Sequence, residues 1–393
     1  MKMKYVHAIF FVYILIILYI CTISNKNRLK RIVINNNESS SILATSKSNV
    51  IRKEELSSFD KFISEECPMK NINISYTCLE KLSKFEIEAG EYELEAASPV
   101  ILYHTFWTID ETKSYHLRVL ILQILSFLAT QNINRSKLLV WIQNPFSENI
   151  NKTLSGKFGY YLNKAIIEIK LIDFSELCSN SLFRQRYKTC ISPNNQNSVA
   201  FSDFVRFLIL YSYGGIYTDG DVIYLRDMMP FWKKNFVYRW SYGHSYNTAI
   251  MGLKLNRSKA INAIYEKILN ENTELTTGFH PRNVTNVVKS LNGKDIYDYE
   301  DFEVFLNILF DPSWLCNDKA LPRYNNKTVC QFSEFYDTII TADQFEIDKF
   351  YKGAFTYHLH LSNCGACLIG PNSYFHHFEK YFIDKLINKN SII

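Results

Sequence analysis

Two aspartates separated by one glycine, Asp219-Gly220-Asp221, are the first candidates for a reactive centre in this chain. Carboxylates at i and i+2 of an extended segment project to the same side, about 6–7 Å apart along the backbone. They can converge on one cation. An all-oxygen set suits Mg²⁺ or Mn²⁺ and leaves coordination positions open for a diphosphate, and Gly220 lets a ligand approach the main chain. A bare D-x-D is also a common solvated turn. Upstream, Ser202-Asp203-x-x-Arg206 places an acid and a base at i and i+3, which is either part of the same centre or a surface ion pair worth a few tenths of a kcal/mol. Downstream, His358 and His360 fall on one face of a strand, as a ligand pair or as structural histidines.

The elements that must position these groups are legible around them. Ser202 reads as an N-cap, with Asp203 in the first turn and Phe204, Phe207, Leu208 and Tyr211 at helical spacing. Gly214 and Gly215 stop that helix, and Ile216-Tyr217-Thr218 is a short strand ending at Asp219. Before it come a strand from Pro99 to Trp107, a helix over 116–130, a strand over 137–142, a helical stretch over 160–165 and a strand over 166–172. This β-α-β-α-β order predicts an α/β fold, a Rossmann-type, mostly parallel sheet with helices on both faces. Ligands of such sheets bind beyond the carboxyl ends of strands, where Asp219 and Asp221 fall.

S-D-x-x-R, a helix, G-G-I-Y and D-x-D together resemble the sugar-binding region of nucleotide-sugar glycosyltransferases. More narrowly they resemble the family of lactosylceramide 4-alpha-galactosyltransferase and alpha-1,4-N-acetylglucosaminyltransferase, with the glucosylating clostridial toxins as distant relatives. The resemblance covers roughly residues 99–385 and is specific over 202–221. It implies a GT-A-like catalytic domain, Mn²⁺ (or Mg²⁺) and a UDP-sugar donor held by Asp219 and Asp221, donor-sugar contacts from Asp203 and Arg206, and Tyr217 near the nucleotide. His104-Thr105-x-Trp107 resembles the I-H-x-x-W that opens the domain, implying a nucleotide bed there; an indole stacked on uracil and a core Trp are both open. Asn247-Thr-Ala-Ile-Met-Gly resembles the strand after the D-x-D, with Asn247 a donor-sugar contact. Gly278-Phe-His280-Pro281 lies where relatives have G-H-Q-G-P, making His280 and Pro281 acceptor-site candidates. Ala354-Phe-Thr-Tyr-His358-Leu-His360 resembles a strand carrying H-x-W: His358 is implied as a metal or diphosphate ligand, and His360, in place of the tryptophan, as an acceptor-side residue.

With 393 residues, 47% of them apolar and 15% aromatic, the chain suits one large domain of roughly 300 residues with an N-terminal appendage. The formal charge of +5 is spread without a basic stripe, which excludes nucleic acid as an expected partner. Tyr5 to Ile23 is an uncharged apolar run, close to the ~20 residues that cross a bilayer. It reads as an uncleaved signal anchor, with a cleaved signal peptide as the rival. The expected organisation is therefore a cytoplasmic tip and span over 1–24, a flexible Asn/Ser/Lys-rich stem over 25–65 and a lumenal catalytic domain over 66–393. Lys26, Arg28, Lys30 and Arg31 after the span oppose that orientation. Seven N-x-S/T sequons and eight cysteines outside the span, in close sequential pairs, favour it. Cys67/Cys78, Cys178/Cys190, Cys316/Cys330 and Cys364/Cys367 suit disulfides in an oxidising compartment, with connectivity open, buried free thiols as the alternative, and a redox or zinc role for the C-x-x-C as a third reading. A type II protein of the Golgi membrane is expected.

The expected reaction is hexosyl transfer from a UDP-sugar to a hydroxyl of a glycolipid or glycan, and the resemblance implies retention of anomeric configuration and α1,4 linkage. Arg206, with Asp219 and Asp221, is expected to meet the charge that builds on the leaving diphosphate. Two rivals remain at this stage. One is a haloacid-dehalogenase-like phosphatase using Asp219 as nucleophile, although three strands precede the motif here. The other is a lumenal, lectin-like homologue without activity. Donor, acceptor and oligomeric state are not readable from sequence.

Overall fold

The computed structural model describes residues 57–67, 75–85, 100–111, 113–179, 181, 184, 190, 199–239, 246–254, 262, 265–266, 302–314, 333–341, 345, 350–363 and 368–389. The apolar run at 5–23, the stem up to residue 56, His280, Pro281, Cys316, Cys330, Cys364 and Cys367 lie outside the described residues. Among the described residues, no helix is long and apolar enough to cross a membrane.

The expected β-α-β-α-β order is found. Strand β1 (Ile101–Trp107), helix α3 (Ser114–Thr130), strand β2 (Ser136–Ile142), helix α4 (Glu148–Asn163) and strand β3 (Ile167–Leu171) follow two N-terminal helices, α1 (Ser58–Glu66) and α2 (Ser75–Lys84). Helices α5 (Phe174–Ser179) and α6 (Val199–Tyr213) lead to β4 (Gly215–Thr218) and β5 (Val222–Tyr224). Strands β6 (Phe236–Arg239), β7 (Tyr246–Leu253), β8 (Glu303–Phe305) and β9 (Thr356–His358), with helices α7 (Glu334–Asp337) and α8 (Tyr374–Asn388), complete the described elements.

Seven of these strands form a mixed, mostly parallel sheet in the order β3-β2-β1-β4-β7-β6-β8, in which β7 runs against both of its neighbours. Alternation along β2 feeds two cores. Leu138, Val140 and Ile142 join the core that holds α3, α4 and α8, with α8 packed on α3, whereas Leu139 and Trp141 join the core that holds α5 and α6, so helices cover both faces as the pattern predicts. A separate pair, β5 against β9, sets Val222 opposite His358. That register brings a residue 137 positions later beside Asp221.

Two boundaries differ from expectation. Helix α6 begins at Val199, so Ser202 lies inside the helix and is not its cap. The folded body also starts before residue 66: α1 buries Phe59 completely against Phe231 and Phe355, because an aromatic ring at the head of an amphipathic turn gains more by packing than the polar residues around it gain by staying flexible. Two cysteine pairs, Cys67–Cys78 and Cys178–Cys190, are disulfides.

Candidate active site

Helix α6 ends as its glycines dictate. The N–H of Gly214 donates to Leu210 at 2.8 Å, and Gly214 and Gly215 take φ values of 63° and 95°, a region in which side chains are strained. A β-carbon on Gly215 would sit 2.3 Å from the Leu102 carbonyl oxygen, so this glycine also permits β4 to lie directly against β1. The chain then runs four residues to Asp219.

The aspartates converge by a turn and not, as the sequence suggested, by the pleat of an extended strand. Asp219 accepts from the N–H of Val222 at 3.1 Å, closing a tight turn over Gly220. Gly220 is required by Trp107, whose indole a β-carbon would meet at 2.5 Å. The turn is fastened from three sides: the Asp219 N–H donates to Ala249 at 2.7 Å, Gln123 Nε2 donates to the Asp219 carbonyl at 2.8 Å, and the Leu359 N–H donates to the Asp221 carbonyl at 2.8 Å.

The side chains form two linked groups. In the first, Arg206 donates to Asp219 Oδ1 at 2.7 Å and to Thr248 Oγ1 at 2.7 Å, and lies 3.1 Å from Asp203 Oδ1. Its guanidinium rests over the Tyr217 ring at 5.2 Å. Burial opposes the arginine's charge, but Asp219 and Asp203 outweigh it and hold its pKa above the ordinary value. Burial raises the Asp203 pKa in spite of Arg206. Asp203 Oδ2 and Arg206 Nε are buried without hydrogen-bond partners, which is uncommon for charged groups.

In the second group, Asp221 Oδ1 faces His358 Nε2 at 3.2 Å and Oδ2 accepts from the Leu361 N–H at 2.8 Å. Burial alone would raise the Asp221 pKa, yet His358 and the backbone donor bring it down to about 2. Burial pushes Asp219 the other way, to about 6, with Asp221 adding to it and Arg206 opposing. The ring of His358 is held well above its ordinary value by Asp221, against its burial. Asp219, Asp221 and His358 each offer one ligand atom within 4.8 Å of the others. Two carboxylates and an imidazole at that spacing fit a divalent ion of the Mg²⁺ or Mn²⁺ type.

The remaining expected residues divide. Asn247 is half-buried beside this site, its Oδ1 accepting from the Ala249 N–H at 2.8 Å. Trp107 reaches the site's edge over Gly220. His104 and Thr105 do not form a nucleotide bed: both are sealed in the core. His104 accepts from Trp141 Nε1 at 3.0 Å, which leaves its Nε2–H to donate to the Gly214 carbonyl at 2.9 Å, and burial lowers its pKa to about 3. It pins the helix stop to the sheet as a neutral ring. Tyr217 is fully buried beneath Arg206, so it backs the guanidinium and does not face a nucleotide. His360, expected on the acceptor side, is 6% exposed and bound to Asp311 at 3.0 Å.

Sequence reading missed Gln123 and Thr248. Gln123 accepts from Trp107 Nε1 at 3.0 Å and Thr105 Oγ1 at 3.3 Å while donating to the Asp219 carbonyl, so one amide ties β1, β4 and the acidic turn together. Thr248 passes Arg206 to Asp203, its hydroxyl lying 3.5 Å from Asp203 Oδ1. Gln123 stood out only as a lone polar residue in an apolar run, which does not say what it binds, and Thr248, next to Asn247, did not stand out at all. Elsewhere, a cleft of about 620 Å³ lined in part by Ser83, Arg226, Asp227, Gly353 and Lys385 shares no residue with this site.

Residues 118–237 match the family model described as glycosyltransferase sugar-binding region containing DXD motif. The matched segment contains Asp203, Arg206, Tyr217, Asp219 and Asp221, and leaves out Thr248, His358 and Leu361. Among solved structures the chain is similar to the PaToxG glycosyltransferase, with 17% identity over 56% of this chain and 77% of that one and a TM-score of 0.35. It is similar to the apo-form glycosyltransferase GlyE of Streptococcus pneumoniae TIGR4, with 10% identity over 75% and 64% of the two chains and a TM-score of 0.38. It is also similar to the galactosyltransferase LgtC in complex with donor and acceptor sugar analogs, with 11% identity over 73% and 96% and a TM-score of 0.37. No curated protein matches the sequence at a significant level. The family match, falling on the residues that the fold gathers into one site, sets the class: the chain is a glycosyltransferase. Asp219 as a phosphatase nucleophile is disfavoured by the same geometry, since Arg206 occupies its Oδ1.

Proposed function

We propose that this glycosyltransferase moves galactose or an N-acetylhexosamine from a UDP-sugar to a terminal sugar of a glycolipid or glycan, with retention and an α1,4 linkage. The observation that carries the reading is the convergence of Asp219, Asp221 and His358 within 4.8 Å beside the buried Arg206. A divalent ion, Mn²⁺ or Mg²⁺, held by those three residues would supply positive charge to the diphosphate as it leaves.

The chain's own groups do the rest. Arg206 is fixed by two carboxylates and a hydroxyl before any ligand arrives, so its charge needs no reorganisation when negative charge develops next to it. Asp203 has one buried oxygen free to accept from a hydroxyl of the donor sugar, and Asn247 stands at the start of β7 to offer a further contact. Trp107 closes over Gly220 and excludes water from the back of the acidic turn. Anchoring by the 5–23 run, with the body in the Golgi lumen, belongs to the same proposal and is supported by the apolar run and by the disulfides, which favour an oxidising compartment.

The test is a panel of UDP-sugars offered to the full-length protein in detergent, with Mn²⁺ or with EDTA. Hydrolysis or transfer of one UDP-hexose that needs the metal is expected, and Asp219→Asn with Asp221→Asn should lower it by at least about 10²-fold. Near-normal turnover by that double variant would sink the assignment.

A further inference from the structure

Behind His358 lies a carboxylate that the reaction as described does not use. Asp311 follows the short 3-10 turn Asn307–Leu309 and has no exposed surface. Its oxygens accept from Ser313 Oγ at 2.7 Å, Trp314 Nε1 at 2.8 Å, His360 Nε2 at 3.0 Å and Tyr238 OH at 3.3 Å. A carboxylate this deeply buried is costly unless its charge is matched. Among the described residues no Lys or Arg pairs with it; its titratable partners are two imidazoles, His360 and, 3.6 Å from Asp311 Oδ2, His358 Nδ1.

We propose that Asp311 is the positioning residue of the metal site, fixing the tautomer and plane of His358 so that its Nε2 lone pair is presented to a divalent cation shared with Asp219 and Asp221. The inference rests on the metal reading of that site. Three observations carry it. The two ring nitrogens of His358 point to different carboxylates, Nε2 to Asp221 at 3.2 Å and Nδ1 toward Asp311, so the ring is a bridge between the site and the core. Nδ1 is buried and makes no hydrogen bond at its present separation. A small closure of the ring onto Asp311 would supply one, and such contacts commonly tighten when the metal is bound. Finally, His360 stacks on His358 with centroids 3.9 Å apart and stands edge-on to Trp314. Its backbone takes φ 51°, a conformation a histidine seldom adopts without compensation. Asp311 supplies that compensation by binding the ring, and the stacked pair is thereby held from one anchor.

The experiment is a calorimetric titration of Mn²⁺, in the presence of UDP, into the full-length protein, its Asp311→Asn variant and its Asp219→Asn variant, each also melted without metal. Asn keeps the shape and one acceptor but loses the charge and puts a donor where an acceptor is needed. Asp311→Asn is expected to weaken Mn²⁺ binding by about 10- to 100-fold. A role confined to the core would lower the melting temperature and leave the affinity unchanged, and that result overturns the proposal. If unaltered protein binds Mn²⁺ and Asp219→Asn abolishes it while Asp311→Asn does not weaken it, the positioning role alone fails; if unaltered protein binds no ion, the metal site fails with it. Should Asp311→Asn not fold, ¹⁵N NMR of His358 in the unaltered, Mg²⁺-loaded protein decides. An Nδ1–H ring is expected, and an Nε2–H ring overturns the assignment.

Discussion

Asp219 and Asp221 are separated by one residue and are driven in opposite directions, Asp219 up to about 6 and Asp221 down to about 2. The cause is local. Asp221 gains His358 and a backbone N–H, whereas Asp219 is desolvated and stands beside a second acid, with Arg206 shared between it and Asp203. The sign for metal binding follows. A protonated carboxyl is a poor ligand, so as pH falls through 6 the proton competes with the ion for Asp219, while Asp221 stays ionised. His358 must also release its proton to ligate, which acts in the same direction. Mn²⁺ affinity of the protein is therefore expected to be at least about tenfold weaker at pH 5 than at pH 7 by calorimetry, from a single group titrating near 6. An affinity unchanged over that interval would mean Asp219 is not a ligand. In metal-free protein the raised Asp219 contributes the opposite trend: its folded pKa exceeds its unfolded value of 3.8, so the native state takes up the proton first and lowering the pH from above 6 toward 4 adds stability through this group.

At the scale of elements, the acidic turn is only as well placed as the joint between β1, α3 and β4. Gln123 is that joint. Gln123→Met keeps the length of the side chain and removes the amide, leaving the Trp107 indole N–H and the Thr105 hydroxyl buried without their acceptor. An orphaned buried donor costs about 1–3 kcal/mol, so a loss of stability in that range is expected, together with weaker Mn²⁺ binding because the Asp219 carbonyl loses its donor. Urea unfolding and calorimetry on the same sample read both. A variant destabilised with unchanged ion affinity would confine Gln123 to the core. The contrast with the glycines shows what sequence carries. Gly214 and Gly215 announced a helix stop because no other residue takes their backbone angles cheaply, and the apolar runs of β1, β2 and β3 announced a buried parallel sheet because both faces are covered. Gln123, Thr248 and Asp311 were not legible, since their roles depend on partners 42 to 96 residues away in the chain. His104 misled for the same reason: its resemblance to the I-H-x-x-W motif implied a nucleotide bed, and only the packing shows Trp141 on one nitrogen and Gly214 on the other. The converging aspartates were read correctly as a pair, but for a pleat, where the fold uses a turn.

Across the whole molecule, the N-terminal helices brace the far end of the chain. Arg226, two residues after β5, donates to the carbonyls of Leu82 and Phe85 at 3.0 Å and Gly353 at 3.2 Å, with its guanidinium 4.9 Å over the Phe355 ring. Gly353, at φ 103°, comes so close to α2 that a β-carbon would lie 2.6 Å from the Leu79 carbonyl oxygen. Phe355 then enters β9, which carries His358. The brace is closed by the disulfide between Cys67 and Cys78, a separation of 11 residues. Loop-closure entropy for a link of that length is worth about 3 kcal/mol in the chain-entropy account. Cys67→Ser with Cys78→Ser is therefore expected to lower the unfolding free energy by about 3 kcal/mol in urea, while Phe59 and Arg226 keep the helices docked in the folded state. Because the link acts mainly on the unfolded chain, Mn²⁺ affinity of the folded fraction should stay within about twofold of the parent, well inside the effects expected at the ligands themselves. A parallel fall in affinity would instead show that the N-terminal helices hold β9, and with it His358, in register with Asp221.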